Sequence, residues 1–185
     1  MDKKINVLGF SGSLRKHSYN SSLLRAASEL KPDEMEIEIF ELNDIPFYNE
    51  DVDNAGAPDS VKLFKEKIAA ANSLLIASPE YNYSFTGVLK NAIDWASRPP
   101  SNSPLTKKPY AIMGVSGGTS GTIRSQMHFR QVGAADNMIA MNKPEVYVAL
   151  AKQKFNEKGD LTDEPTREHL KTFLKSFYEW TIKNS

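Results

Sequence analysis

The chain contains no cysteine. That excludes disulfides, thiolate zinc sites and cysteine nucleophiles, and it is compatible with a cytoplasmic location. It also lacks net charge, with 23 basic and 23 acidic residues. Proteins that bind nucleic acid or anionic membranes need a basic surface, so neither is an expected partner. No apolar run approaches the roughly 20 residues that span a bilayer. The start, Met1-Asp-Lys-Lys, leads straight into a strand pattern, so no signal peptide is expected. Histidine is scarce: His17, His128 and His169 are far apart and show no metal-ligand spacing. Two nucleotide signatures are missing as well. Without G-x-x-x-x-G-K-[ST] or G-x-G-x-x-G, a triphosphate P-loop and a Rossmann dinucleotide site are disfavoured. Gly114-Val-Ser116-Gly-Gly118 has the bare G-x-S-x-G spacing, but no histidine is convincingly placed to serve Ser116, so a serine hydrolase is disfavoured too.

What is present is a regular alternation of strand and helix patterns over 185 residues, one domain's worth of chain with enough apolar content for a substantial core. Strands are expected at Lys4–Phe10, Met35–Glu41, Asn72–Ala77 and Tyr110–Val115. A fifth begins at Asn137–Met141 and resumes at Glu145–Val148. Helices are expected at Asn20–Leu30, Ser60–Ala71 (capped by Asp59 or Ser60), Thr86–Ala96, Thr122–Val132 and Arg167–Ile182. Met35, Ile37 and Ile39 alternate with Glu36 and Glu38, which reads as an edge strand. Residues 42–58 and 99–109 read as loops. Such a pattern predicts an α/β fold over residues 1–185, a five-stranded parallel sheet in the order 2-1-3-4-5. In that order the chain reverses between strands 1 and 3, and ligands sit beyond the strand C-termini at the reversal.

Three polar loops follow strands 1, 3 and 4 and should converge there. The first, Ser11-Gly-Ser-Leu-Arg-Lys-His-Ser-Tyr-Asn20, offers Ser11, Ser13 and Ser18 hydroxyls, the Asn20 amide, the Arg15 guanidinium and backbone donors. With a helix N-terminus behind it, this set suits a phosphate monoester. Helix capping by Ser18 or Asn20 beside a solvated Arg15 accounts for the same residues equally well. The second loop, Pro79-Glu-Tyr-Asn-Tyr83, would set backbone N–H groups and rings against a flat heterocycle. The third, Ser116-Gly117-Gly118, would let backbone approach a ligand edge closely. Glu80 and Asp94 do not read as an acid–base pair, because Asp94 lies on a helix beside Trp95.

The strings G-S-L-R-x-x-S-x-N at 12–20, P-E-Y-N-x-S-x-x-G-x-L-K-N-A-I-D-W at 79–95, and Met141-Asn-Lys-Pro-Glu145 resemble the NADPH-dependent FMN reductase family. That is the flavodoxin-like group of quinone, chromate and azo-dye reductases. The resemblance implies a flavodoxin-like three-layer sandwich and non-covalent FMN, with NADPH or NADH as co-substrate. It implies phosphate contacts from Ser13, Leu14, Arg15, Ser18 and Asn20 beside Ser11. It implies a ring lined by Pro79, Glu80, Tyr81, Asn82 and Tyr83, with Ser116, Gly117 and Gly118 as the third wall. No catalytic side chain is implied, since hydride passes through flavin N5 to quinones, free flavin, azo dyes or oxyanions such as chromate. Relatives are homodimers or tetramers, and Tyr83, Arg124 and Glu145 fall in the regions that they use between subunits. Phe85 stands where proline is common in the second string, and bears on acceptor preference. Two other readings remain: a flavodoxin-type one-electron carrier, which the neutral charge disfavours, and a flavin-free domain binding another phosphorylated ligand.

Overall fold

The computed structural model describes residues 3–185. Its sheet runs β2 (Met35–Phe40), β1 (Ile5–Ser11), β3 (Ser73–Ala77), β4 (Pro109–Val115), β5 (Ile139–Ala140), with every pair parallel. A sixth strand, β6 (Val146–Val148), also pairs with β4, beside Met113–Val115, whereas β5 lies beside Pro109 and Tyr110. The expected fifth strand is therefore one edge position filled by two short segments. Residues 141–145 leave the ladder between them, and Pro144 has no N–H to give β4. The order is the flavodoxin-like one.

Helices cover both faces. On one side α1 (Tyr19–Leu30) and α7 (Glu164–Asn184) pack Leu23, Leu24, Leu170, Phe173, Leu174 and Phe177 against Ile5, Val7, Leu75 and Met113. On the other, α3 (Asp59–Ala70), α4 (Gly87–Ala96) and α5 (Ile123–Ala135) pack Phe64, Ile68, Leu89, Ile93 and Phe129 against Leu8, Phe10, Ile76 and Ile112. Strands β3 and β4 are buried on both faces, as their unbroken apolar runs require. Edge strand β2 buries Met35 and Ile37 but leaves Glu36, Glu38 and Ile39 exposed.

Two short helices were not anticipated: α2 (Glu50–Asn54), inside the 42–58 connection, and α6 (Ala151–Lys154). Helix α7 begins three residues early because Asp163 Oδ2 accepts the Thr166 N–H at 3.0 Å and Pro165 sits in its first turn. The expected cap of α3 is absent. Asp59 is its first helical residue, Pro58 precedes it, and no side chain caps it.

The 42–58 connection is fastened to α4. The Pro46 carbonyl accepts hydrogen bonds from Asn91 Nδ2 and Trp95 Nε1, each at 2.8 Å, and the Tyr48 N–H donates to Asn91 Oδ1 at 2.8 Å. The Tyr48 and Trp95 rings meet edge to face, 4.9 Å apart. The second half of the 79–95 string is thus packing: Leu89, Ala92 and Ile93 face the sheet, while Asn91 and Trp95 hold the neighbouring loop.

Candidate functional site

The three polar loops meet at the C-terminal end of the sheet, around a cleft of about 220 Å³. Nine expected residues line it: Ser13, Arg15, Ser18, Asn20, Pro79, Glu80, Tyr81, Ser116 and Gly117. Tyr19 and Val115 join them, Tyr19 from the unconstrained position between Ser18 and Asn20. Five others stand outside. Ser11 faces Ser21, Leu24 and Arg25 on the other side of β1. Leu14 is solvent-exposed, Asn82 and Tyr83 form a hairpin tip, and the Gly118 carbonyl accepts the Leu150 N–H. The cleft is not the largest hollow; one of about 390 Å³ lies between β6 and α7.

Backbone ties bring the loops together. Gly12 N–H donates to the Ala77 carbonyl at 2.9 Å, and Thr86 Oγ1 donates to the Gly12 carbonyl at 2.6 Å while accepting the Leu89 N–H. Thr86 thus caps α4 and clamps the first loop to it. A Cβ on Gly12 would sit 2.8 Å from Thr86 Oγ1, so this approach needs glycine. At Gly114 the same test is harsher, with the Ser78 carbonyl oxygen at 2.4 Å.

Two expected ligand contacts have structural work. The Asn20 amide is buried; it donates to the Val115 carbonyl and accepts the Val115 N–H, both at 3.0 Å, joining the first loop to the end of β4. The Glu80 carboxylate accepts the Arg124 N–H at 2.9 Å and the Ser125 N–H at 3.2 Å through Oε2, and Arg124 Nη1 at 3.2 Å through Oε1. It therefore caps α5 from a loop 44 residues away, serving the role that a local N-cap usually fills. Ser18 caps α1, its Oγ accepting from the Asn20 and Ser21 N–H groups. Asp94 pairs with Lys90 on α4 and stays out of the cleft. Glu145 lies elsewhere, where the Lys143 ammonium and the Tyr147 hydroxyl hold its carboxyl below the usual range.

What is left unused decides what the cleft can hold. The first loop, 11–20, contains no acidic residue. Among the described residues, the N–H groups of Leu14, Lys16 and His17 donate to no protein acceptor, and Arg15 makes no ion pair. With the Ser13 hydroxyl and the N-terminus of α1, these donors match a phosphate monoester in charge and number. On the opposite wall the Glu80 and Gly117 N–H groups are free, and a Cβ built on Gly117 would meet nothing within 4 Å. Such a wall fits the acceptor-rich edge of a flat heterocycle. The residues present therefore fit FMN. Among the described residues no group of three His, Asp or Glu could hold a metal ion, and no helix is long and apolar enough to cross a membrane.

The family model for NADPH-dependent FMN reductase matches residues 5–153. The chain belongs to this family. A curated relative, the NAD(P)H-dependent FMN reductase of Pseudomonas aeruginosa, is 49% identical over 97% of both chains. The NAD(P)H:quinone oxidoreductase of Solanum tuberosum is 45% identical, covering 97% of this chain and 94% of its own. Among solved structures, the flavoenzyme NAD(P)H:(acceptor) oxidoreductase FerB from Paracoccus denitrificans superposes with a TM-score of 0.90 at 34% identity, over 97% of this chain and 98% of its own. As a member of the FMN reductase family, the chain is an oxidoreductase that uses FMN and a reduced nicotinamide.

Proposed function

We propose that residues 1–185 form one FMN-binding domain that oxidises NAD(P)H and reduces a quinone, with the cofactor's phosphate on the first loop and its ring between the second and third. The observation that carries this is the acid-free first loop, with its free Leu14, Lys16 and His17 N–H groups beside Ser13 and Arg15. When bound, FMN supplies the two-electron hydride chemistry between the nicotinamide and the acceptor. The chain's own residues bind and orient. Arg15 would offset the phosphate charge while the Ser13 hydroxyl donates to it, and the Glu80 and Gly117 N–H groups would offer hydrogen bonds to the ring edge. Tyr81 forms part of the wall. A cleft of about 220 Å³ is smaller than the roughly 300–1,000 Å³ that encloses a drug-sized ligand. A bound ring would be enclosed only in part, which would leave one side for donor and acceptor in turn.

The quinone assignment is supported by the name of the potato relative. A homodimer or tetramer and a cytoplasmic location belong to the same reading. Tyr83 and Met127 are more than half exposed at the rim, as an association surface would need. No observation favours the one-electron carrier.

The test is FMN and riboflavin titration of the wild type and Arg15→Ala, followed by NADPH and NADH turnover with a quinone. A charge-assisted hydrogen bond contributes about 1.5–3 kcal/mol, so the variant should bind FMN on the order of tenfold or more weakly. Riboflavin, which has no phosphate, should be nearly unaffected. Equal losses for both ligands would show that the phosphate is not on this loop.

A further inference from the structure

The flavin reading assigns Arg15 to the phosphate, yet among the described residues no carboxylate pairs with its exposed side chain. A long side chain that rotates freely gives up much of that freedom when it binds an anion, which weakens the contact. A group that holds it beforehand removes part of that cost. Such a group stands four residues on. The Arg15 guanidinium carbon lies 5.5 Å from the centroid of the Tyr19 ring, within cation–π range. Tyr19 is the first residue of α1, directly after the Ser18 cap, and lines the cleft. Its ring therefore stands at the helix N-terminus that suits a phosphate.

The ring is itself braced. Its centroid is 5.2 Å from that of Phe155, with the two planes tilted by 47°. Phe155 is 6% exposed and belongs to the core between the sheet, α1 and α7. Its backbone is fixed by a bridge to Leu161 and by the Ala151 carbonyl, which accepts its N–H at 3.1 Å. Core, Phe155, Tyr19 and Arg15 thus form one line of contacts that ends at the cleft. A guanidinium stacked by its face on a ring keeps its edge N–H groups for an anion. Neither aromatic residue is a fixed letter of the strings that carry the family resemblance: Tyr19 fills a free position in the first, and Phe155 lies outside all three.

We propose that Tyr19 is a positioning residue for the cofactor phosphate: braced by Phe155, its ring holds the Arg15 guanidinium near the N-terminus of α1 before the ligand arrives. This rests on the flavin reading proposed above. Tyr19 acts through Arg15 and not on the flavin itself.

The experiment titrates FMN and riboflavin into full-length wild type, Tyr19→Leu, Tyr19→Phe, Arg15→Ala and the Arg15→Ala/Tyr19→Leu double variant, with urea unfolding of each as the check on folding. Tyr19→Leu keeps an apolar side chain for Phe155 and loses the ring face. It should bind FMN about threefold more weakly and riboflavin almost as the wild type does. Tyr19→Phe keeps the face and should match the wild type with both ligands. In the Arg15→Ala background Tyr19→Leu should weaken FMN no further, because the contact that it removes is already gone. The proposal is overturned if Tyr19→Leu binds FMN as tightly as the wild type, if riboflavin shares its loss, or if the loss is the same with and without Arg15. A Tyr19→Phe protein as weak as Tyr19→Leu overturns it too, since the hydroxyl would then be the acting group. A direct readout comes from proton spectra of the cofactor-free wild type, whatever the variants' stability. The Arg15 δ-methylene signals, assigned by their loss in Arg15→Ala, should be shifted upfield by the Tyr19 ring. Unshifted signals sink the positioning role alone, whereas an Arg15→Ala protein that loses FMN and riboflavin equally sinks the phosphate assignment beneath it.

Discussion

Asn20 lies in a motif whose resemblance assigns it to a phosphate, yet its amide is committed to Val115. Replacing it distinguishes the two roles. Asn20 is 4% exposed and Val115 2% exposed, so water cannot substitute for the lost partner. Asn20→Ala leaves both the Val115 N–H and the Val115 carbonyl unpaired, and each buried orphan costs about 1–3 kcal/mol. The variant should therefore lose roughly 2–5 kcal/mol. In a chain of this size that lowers Tm by on the order of 10 °C. Asn20→Asp keeps an acceptor for the Val115 N–H but turns a carboxylate oxygen toward the Val115 carbonyl, and should lose at least as much. The assay is urea and thermal unfolding of the cofactor-free protein, paired with FMN titration. Both stability and affinity should fall, because the first loop loses its tie to the end of β4. A cofactor-free variant within about 0.5 kcal/mol of wild type, with FMN affinity nonetheless lost, would refute the reasoning and return the amide to the ligand.

Tyr110 is buried, its hydroxyl has no hydrogen-bond partner, and desolvation pushes its pKa from 10.0 up to about 12 against an opposing pull from Arg130. A raised folded pKa means that its stabilising contribution is complete below the unfolded value of 10.0 and is lost as pH climbs towards about 12. Tyr110→Phe should flatten that alkaline limb of the unfolding curve without loss at neutral pH, since it removes an unpaired polar group. A neutral-pH loss above about 1 kcal/mol would reveal a partner for the hydroxyl. Light scattering over a wide concentration range should give a dimer or tetramer, and a monomer throughout would contradict the association reading.

Much of this protein was legible from local pattern. Apolar runs and 3.6-residue stripes located the strands and major helices to within a few residues, because both signals come from neighbours in sequence. The 2-1-3-4-5 order followed from alternating elements and the position of the polar loops. Even the Ser18 cap was readable, since its partners are two and three residues away.

Tertiary structure decided how the polar groups of the same loops are spent. Asn20 and Val115 are 95 residues apart, Glu80 and Arg124 are 44 apart, and Thr86 and Gly12 are 74 apart. A sequence displays donors and acceptors but not which pairs the sheet brings within 3 Å. So the sequence did not show that the Asn20 amide, the Glu80 carboxylate, Asn91 and Trp95 each have a partner elsewhere in the chain. The left-handed hairpin at Asn82 and Tyr83 was hidden for the same reason. Tyrosine rarely adopts that backbone, so the residue type gave no sign of it, and the Arg124 guanidinium of α5 that lies 4.2 Å from the Tyr83 ring comes from a distant part of the chain.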